Sequence, residues 1–325
     1  MHRSLPRHAF APWKSRNGTK FKNRNAAFSL STDAFQEPLP ENDALPRLSS
    51  AASIQEGAQI VMIFESHAHY DDEAFDEDRE ELLGSFAENG IDTVINIGAS
   101  LESCRKTIAL MEKYPFIYGA MGVHPSETGE LDENGFQWLR ECCDHKKVAA
   151  VGEIGLDYYW KEPEIPVQKK WFERQMGLAK ETGLPVIIHS REAAKDTLDM
   201  MKSTHAEEIG GVIHCFSYTK EIAREYLNMG FHFGIGGVIT FANAKKLKEA
   251  AAYIPMDRIL LETDSPYLSP EPFRGKRNSS LNLPYIAEKI AVLKGIDREE
   301  VYAVTHENAQ RLFRLGRFAE TKGTD

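Results

Sequence analysis

From residue 60 onward, short apolar runs alternate with charged segments of helical period. The runs lie at 60–64, 93–97, 116–121, 148–152, 185–188, 211–213, 231–235 and 258–261. Apolar residues on both faces suit strands of a parallel sheet covered by helices. The stretches between them predict helices over 76–89, 101–114, 132–144, 166–182, 191–204, 219–229, 243–253 and 281–294, then a last pair over 297–304 and 306–315. Gly90, Gly183 and Gly230 stand where helix C-caps are expected. Eight strand–helix units over roughly 250 residues predict an α/β fold, the (β/α)8 TIM barrel. A doubly wound open sheet is the alternative, but no Gly-x-Gly-x-x-Gly follows the first run.

Residues 1–61 break this pattern. From Met1 to Arg24 there are seven Lys/Arg and no acid, and the next segment is rich in Pro, Ser and Ala without a period. Such a stretch fits a transit peptide, a basic and aromatic nucleic-acid contact, a disordered tail, or translated sequence upstream of a start at Met62. The last is preferred, because the regular pattern begins there. The expected organisation is an extension over 1–61, a barrel over 62–316 and a tail over 317–325.

Composition narrows the partners. The formal net charge is −10, and it falls to −13 without residues 1–61, which hold eight Lys/Arg and five Asp/Glu. A broad basic face for nucleic acid is therefore not expected, although bound metal ions can invert a local field. No run reaches the roughly 18 apolar residues of a membrane span, and no apolar core of a secretory signal is present. Cys104, Cys142, Cys143 and Cys215 form no C-x-x-C, which points to a reducing, cytoplasmic location. Nothing signals an obligate protein partner.

The chemistry gathers at the ends of the runs. In such a barrel the active site lies at the C-terminal ends of the strands. The first run leads into Glu65-Ser66-His67-Ala68-His69, and residues two apart in a strand share a face. The third leads to His124, the fourth to Glu153, the fifth to His189, the sixth to His214 and the eighth to Asp264. Taken singly, a strand-end His is more often a hydrogen-bonded core residue, and a strand-end acid more often a cap. Five strands ending in metal-ligand residue types at one mouth, with His124 of the third close by, outweigh that. His145, His205, His232 and His306 fall elsewhere and are read as structural.

Six ligands exceed one tetrahedral site and imply two divalent ions, Zn, Mg or Mn. His67, His69, Glu153 and Asp264 would hold one; Glu153, as the bridge, with His189 and His214 would hold the other. Two ions acidify a shared water, and Asp264 can take its proton as general base. After the eighth run, Arg274, Lys276 and Arg277 form a cationic loop able to hold phosphate, or simply a solvated one. Tyr158, Tyr159 and Trp160 follow Glu153 and could stack on bases or pack over the rim. Arg191 and Ser217 are further rim candidates.

These motifs resemble the TatD-type metal-dependent deoxyribonucleases. The resemblance covers roughly residues 62–316. It rests on His67-x-His69, GVHP at 122–125, GEIGLDYY at 152–159, HSREA at 189–193, HCFS at 214–217, ETDSPYL at 262–268 and RGKRN at 274–278. It implies a (β/α)8 barrel, two metal sites and a 3′-to-5′ DNA exonuclease or related phosphodiesterase activity. His67, His69, Glu153, His189, His214 and Asp264 match the family's metal positions, and His124 a position on the substrate side. DNA is the implied substrate, with RNA ends a further candidate. Three places depart from the family pattern. In the opening motif Glu65-Ser66 stands for Asp-Thr and Tyr70 for Leu; Tyr218 stands for a common Gly after HCFS, and Ser279-Ser280 for Glu-Pro after Asn278. The same ligands could serve an esterase or amidase, such as an aminoacyl-tRNA deacylase, and a non-catalytic binding protein would keep the barrel without needing the ligand set.

Overall fold

In the computed structural model, residues 62–160 and 162–315 are described. The expected extension over 1–61 and the tail over 317–325 lie outside the described residues. Eight strands follow one another in order: β1 Ile63–Ala68, β2 Ile91–Ile97, β3 Ile117–Met121, β4 Val148–Asp157, β5 Val186–Arg191, β6 Gly211–Ile213, β7 His232–Ile235 and β8 Ile259–Leu261. All neighbouring pairs are parallel, in the order β1 to β8. A single bridge between Ala68 at the end of β1 and Ser265, four residues past β8, links the two edges of the sheet. The sheet is thus a nearly closed (β/α)8 barrel. Its helices are α1 Arg79–Gly84, α2 Leu101–Lys113, α3 Glu133–Cys142, α4 Ile165–Thr182, α5 Ala194–Ser203, α6 Lys220–Asn228, α7 Lys245–Tyr253, α8 Leu283–Lys294 and α9 Arg298–Phe313.

The alternation of side chains along each strand builds two cores. Phe64, Ile95, Ile97, Ile187, Val212 and Leu260 form one cluster, joined by Ala309 and Phe313 of α9. Their neighbours Ile63, Val94, Val186, Ile188, Ile213, Ile259 and Leu261 point the other way, into a larger cluster with the helices. Phe64 stacks on Phe313 with ring centroids 6.0 Å apart. Among the described residues no helix is long and apolar enough to cross a membrane.

Several boundaries differ from the periodicity, each for a local reason. β4 runs five residues past its apolar run, because pairing with β5 continues through Gly155↔His189 and Asp157↔Arg191. β1 likewise runs on through Glu65 and His67 to Ala68. Apolar periodicity cannot see a buried polar strand end. The first predicted helix is shortened to α1, flanked by 3-10 turns at Glu73–Phe75 and Ala87–Asn89. Asp72 caps the first turn by accepting from Ala74 N at 2.8 Å, and Gly84, a poor helix former, ends α1. The predicted final pair is one helix, α9; Thr305 Oγ1 donates back to Val301 O at 2.7 Å, so the helix passes unbroken through His306.

Two glycines make room for the strand ends. Gly155 has φ +145°, and a Cβ there would lie 1.9 Å from the carbonyl oxygen of His189. A Cβ on Gly234 of β7 would lie 1.9 Å from the Glu262 carboxylate, so only glycine leaves that buried acid its place.

Candidate metal centre

The mouth of the barrel is lined by side chains from β1, β4, β5 and the segments after β3, β6 and β8. His67 and His69 meet Nε2 to Nε2 at 3.3 Å. Asp264 Oδ1 lies 3.7 Å from His67 Nε2 and 3.4 Å from His69 Nε2. Glu153 Oε2 lies 3.5 Å and 3.8 Å from the same two nitrogens. A tetrahedral ion with bonds of about 2.0–2.1 Å separates its ligands by about 3.3–3.4 Å. The four donors therefore stand close to the spacing that such an ion demands.

The second oxygen of Glu153 faces a different group. Oε1 lies 2.7 Å from His189 Nδ1, 3.7 Å from His214 Nε2 and 3.9 Å from His124 Nε2. His214 Nε2 also lies 3.8 Å from Asp264 Oδ1. The rings of His67 and His214 stack with centroids 3.4 Å apart. All six residues expected as ligands thus come together, with Glu153 between two halves.

Two of the four imidazoles, His69 and His189, have the outward nitrogen fixed as metal-ligating imidazoles require. His69 Nδ1 contacts the Ile97 carbonyl at 3.1 Å, so that nitrogen carries the proton and Nε2 keeps a lone pair inward. His189 Nε2 contacts Asp157 Oδ2 at 3.1 Å, which leaves Nδ1 inward. His214 Nδ1 lies 3.0 Å from Glu262 Oε1, out of line for a hydrogen bond, and His67 Nδ1 is buried without a partner. Asp157 and Glu262 lie inside the GEIGLDYY and ETDSPYL motifs, yet as acids outside the ligand set they have no sequence pattern of their own. Both are buried at strand ends, and that is the signal which finds them.

The charges at this mouth draw in positive partners. Burial opposes the imidazolium of His69, yet Asp264 and Glu153 outweigh it and raise the group to about 9. His189 rises to about 9 against burial because of Asp157 and Glu153. His214 does the same through Glu262, Glu153 and Asp264. Burial works to raise Glu153 and Asp264, and the surrounding imidazoles, His214 first, hold both carboxyls below their ordinary values. For His67, burial and then the His214 charge push the group down. A cluster of this composition suits a divalent cation that replaces the imidazolium protons.

His124 stands beside this centre. Its Nδ1 accepts from Ser126 N at 3.2 Å, so the neutral ring carries its proton on Nε2, which faces Glu153. Burial, then the nearby His189, pushes it down to about 3. It is a neutral donor at the mouth. Cys215 joins His214 and Asp264 in a group of donor atoms all within 4.8 Å of one another. Desolvation, then the Asp264, Glu262 and Glu153 carboxylates, push its thiol well above the ordinary value, which keeps it protonated.

The residues expected to hold substrate divide. Tyr158 OH donates to Asp196 Oδ2 of α5 at 2.7 Å. Arg277 is engaged by Asp78 through both terminal nitrogens and lies over the Phe75 ring. Arg274 lies over Phe241 and Lys276 over Phe273, both exposed. Asn278 anchors the base of this loop beside Asp264, donating to the carbonyls of Thr263 and Tyr267 at 2.9 and 2.7 Å. Each departure from the family pattern has a partner. Glu65 accepts from Thr263 N, Thr263 Oγ1, Ser280 Oγ and His67 N at 2.9, 2.6, 2.8 and 3.2 Å. Burial pushes its carboxyl up to about 8 in spite of these bonds. Tyr218 OH lies 3.1 Å from Ser190 Oγ and accepts from Ala193 N at 3.3 Å, tying the segment after β6 to the end of β5.

Comparison with known proteins identifies the family. The pattern of the family described as "TatD related DNase" matches residues 64–314. An uncharacterized metal-dependent hydrolase from Bacillus subtilis (strain 168), YabD, is 43% identical over 254 residues, covering 78% of this chain and 100% of the relative. YcfH of Escherichia coli (strain K12), with the same description, is 36% identical over 259 residues, 78% and 97% of the two chains. The crystal structure of YJJV, a TatD homologue from Escherichia coli K12, superposes with a TM-score of 0.75 at 29% identity, covering 79% of this chain and 99% of that one. This chain belongs to the TatD family of metal-dependent hydrolases.

Proposed function

We propose that this protein is a two-metal phosphodiesterase that removes nucleotides from the 3′ end of DNA. One observation carries the reading. Glu153 divides its two carboxylate oxygens between separate donor groups, Oε2 toward His67 and His69 and Oε1 toward His189 and His214. A carboxylate so placed would hold two ions with one side chain. His67, His69, Glu153 and Asp264 would hold the first, and Glu153, His189 and His214 the second. When bound, such ions supply Lewis acidity and a water activated near neutral pH. A pair of them suits the attacking and leaving oxygens of a phosphodiester. The family description as a DNase supports the choice of substrate.

The protein's own groups do the rest. Asp264 is held ionised by its imidazole neighbours and can accept the proton of the attacking water. His124 is neutral and presents Nε2–H at the mouth, where it can donate to a phosphate oxygen. Asp157 and Ile97 O hold the rings of His189 and His69 in orientation.

The test is digestion of 5′-labelled single-stranded DNA by the full-length protein with and without Mg or Mn, beside Asp264→Ala. The expected result is a metal-dependent ladder shortening from the 3′ end and a loss of rate in the variant of about 10²–10⁴-fold. Metal-loaded protein that leaves DNA intact while hydrolysing an ester or aminoacyl-tRNA would overturn the reading.

A further inference from the structure

Resting on the nuclease reading above, we propose that the Tyr159 ring and the Arg191 guanidinium form a stacking platform for an unpaired nucleobase beside the scissile phosphate. β4 and β5 pair Gly155 with His189 and Asp157 with Arg191. Arg191 therefore stands two residues, about 7 Å, beyond His189 along the strand. Tyr158 N donates to Arg191 O at 2.9 Å, which joins the two strand ends. Asp157 couples this rim to the centre. Its Oδ2 holds His189, while its Oδ1 accepts from Tyr159 N at 2.9 Å and Trp160 N at 3.3 Å. One carboxylate thus fixes both a ring that faces Glu153 and the turn that carries the aromatic pair.

The surface itself suits a base. The Arg191 guanidinium carbon lies 3.8 Å from the centre of the Tyr159 ring, and the Trp160 ring meets it at 4.9 Å and 88°. Tyr159 keeps 44% of its surface exposed. Its neighbour Tyr158 is tied to Asp196 and packs on the core, and Trp160 is half-buried edge-on to Tyr159, so of the three aromatic residues after β4 Tyr159 is the one that is exposed. Aromatic rings and arginine planes both stack on bases without regard to sequence.

Charge explains why stacking is needed. The chain carries a net −10, and in the loop after β8 Arg277 is paired with Asp78, which leaves Arg274 and Lys276 as its other exposed cations. Phosphates away from the metal centre gain little from such a surface. A base face offers affinity that neither salt nor net charge removes. In a duplex those faces are taken by neighbouring bases, so the platform selects single-stranded or frayed ends.

The test compares wild type with Tyr159→Ala on single-stranded DNA, using strands with a normal or an abasic nucleotide at each of the two 3′-terminal positions. Tyr159→Ala is expected to raise KM about tenfold on the normal strand with kcat little changed, and to add no penalty when the abasic nucleotide occupies the platform position. Tyr159→Phe should behave as wild type. In a separate binding readout, 2-aminopurine at that position should be quenched on binding to the Asp264→Asn protein and not to Asp264→Asn/Tyr159→Ala. Equal penalties on normal and abasic strands, or quenching without Tyr159, overturn the platform and leave the nuclease reading standing. Metal-loaded wild type that cleaves none of the strands removes the nuclease reading and the platform with it.

Discussion

The two halves of the metal centre are held by different means. Glu153 sits on β4 and His189 on β5, and the ladder between these strands runs from Val151↔Val186 to Asp157↔Arg191 with one register shift, between Val151 and Ile154, where Glu153 lies. His67, His69 and Asp264 sit where the two edges of the sheet meet, and there a single bridge links them. Side chains take over from the ladder. Glu65 reaches the backbone of both ligand-bearing segments, at His67 N and Thr263 N, and gathers Thr263 Oγ1 and Ser280 Oγ. Ser66 Oγ donates to Leu261 O at 2.8 Å, and Tyr70 OH lies 2.7 Å from Ser280 Oγ. A ladder places ligands by backbone geometry. A seam places them through buried side-chain hydrogen bonds instead.

Breaking both halves together should give the largest effect. Glu153→Gln removes the shared carboxylate and is expected to lower kcat by on the order of 10³-fold or more, with less than half the wild-type metal content by atomic emission. Full metal content in that variant would refute the bridging role. Next, Glu65→Ala should strike the seam. It strands several buried donors at roughly 1–3 kcal/mol each, offset in part by removing a buried acid. A net loss of about 3 kcal/mol in urea unfolding is expected, with metal lost first from the His67/His69 half. A stability change under about 0.5 kcal/mol would show that the seam does not depend on Glu65.

Asp157→Asn should leave the ladder intact and stability within about 1 kcal/mol of wild type. Its cost should appear as a 10–100-fold weaker affinity for the ion on the His189 side, read by metal titration. A mainly structural loss would reverse the contrast between the halves. The smallest effect is on pH. The His69, His189 and His214 values are raised to about 9, so their stabilising contribution is complete below about pH 6.5 and is lost as pH rises through 9. The Glu65 carboxyl, raised from 4.5 to about 8, adds a loss that begins near pH 4.5 and is complete by about pH 8. Metal-stripped protein should therefore show a falling Tm from about pH 6.5 to 9. Metal-loaded protein should show a flatter profile, and metal uptake should release protons in calorimetry across buffers. Parallel profiles with and without metal would contradict the assignment of these imidazoles to the centre.

What the sequence by itself determined was the set of strands and the residue at the end of each. Strand-scale apolar runs and a His, Glu or Asp after them are local signals, and a parallel barrel turns that local rule into convergence, because every strand ends at one mouth. The tertiary structure alone decided how each donor is aimed and what holds it. Asp264 takes φ +57° and Cys215 φ +45°, left-handed conformations that residue type does not announce. The pairing of Glu65 with Ser280, 215 positions apart, is likewise invisible along the chain; two apparent departures from the family pattern meet in one buried network. Arg277 reads as a phosphate contact in sequence, because a charge shows its type and not its partner; only folding brings it to Asp78. The same holds for Tyr158 and Tyr159. They are adjacent and alike in sequence, and the turn after β4 sends one to Asp196 and leaves the other at the mouth. Residue type fixes what chemistry a group can do, while long-range packing fixes which partner it meets.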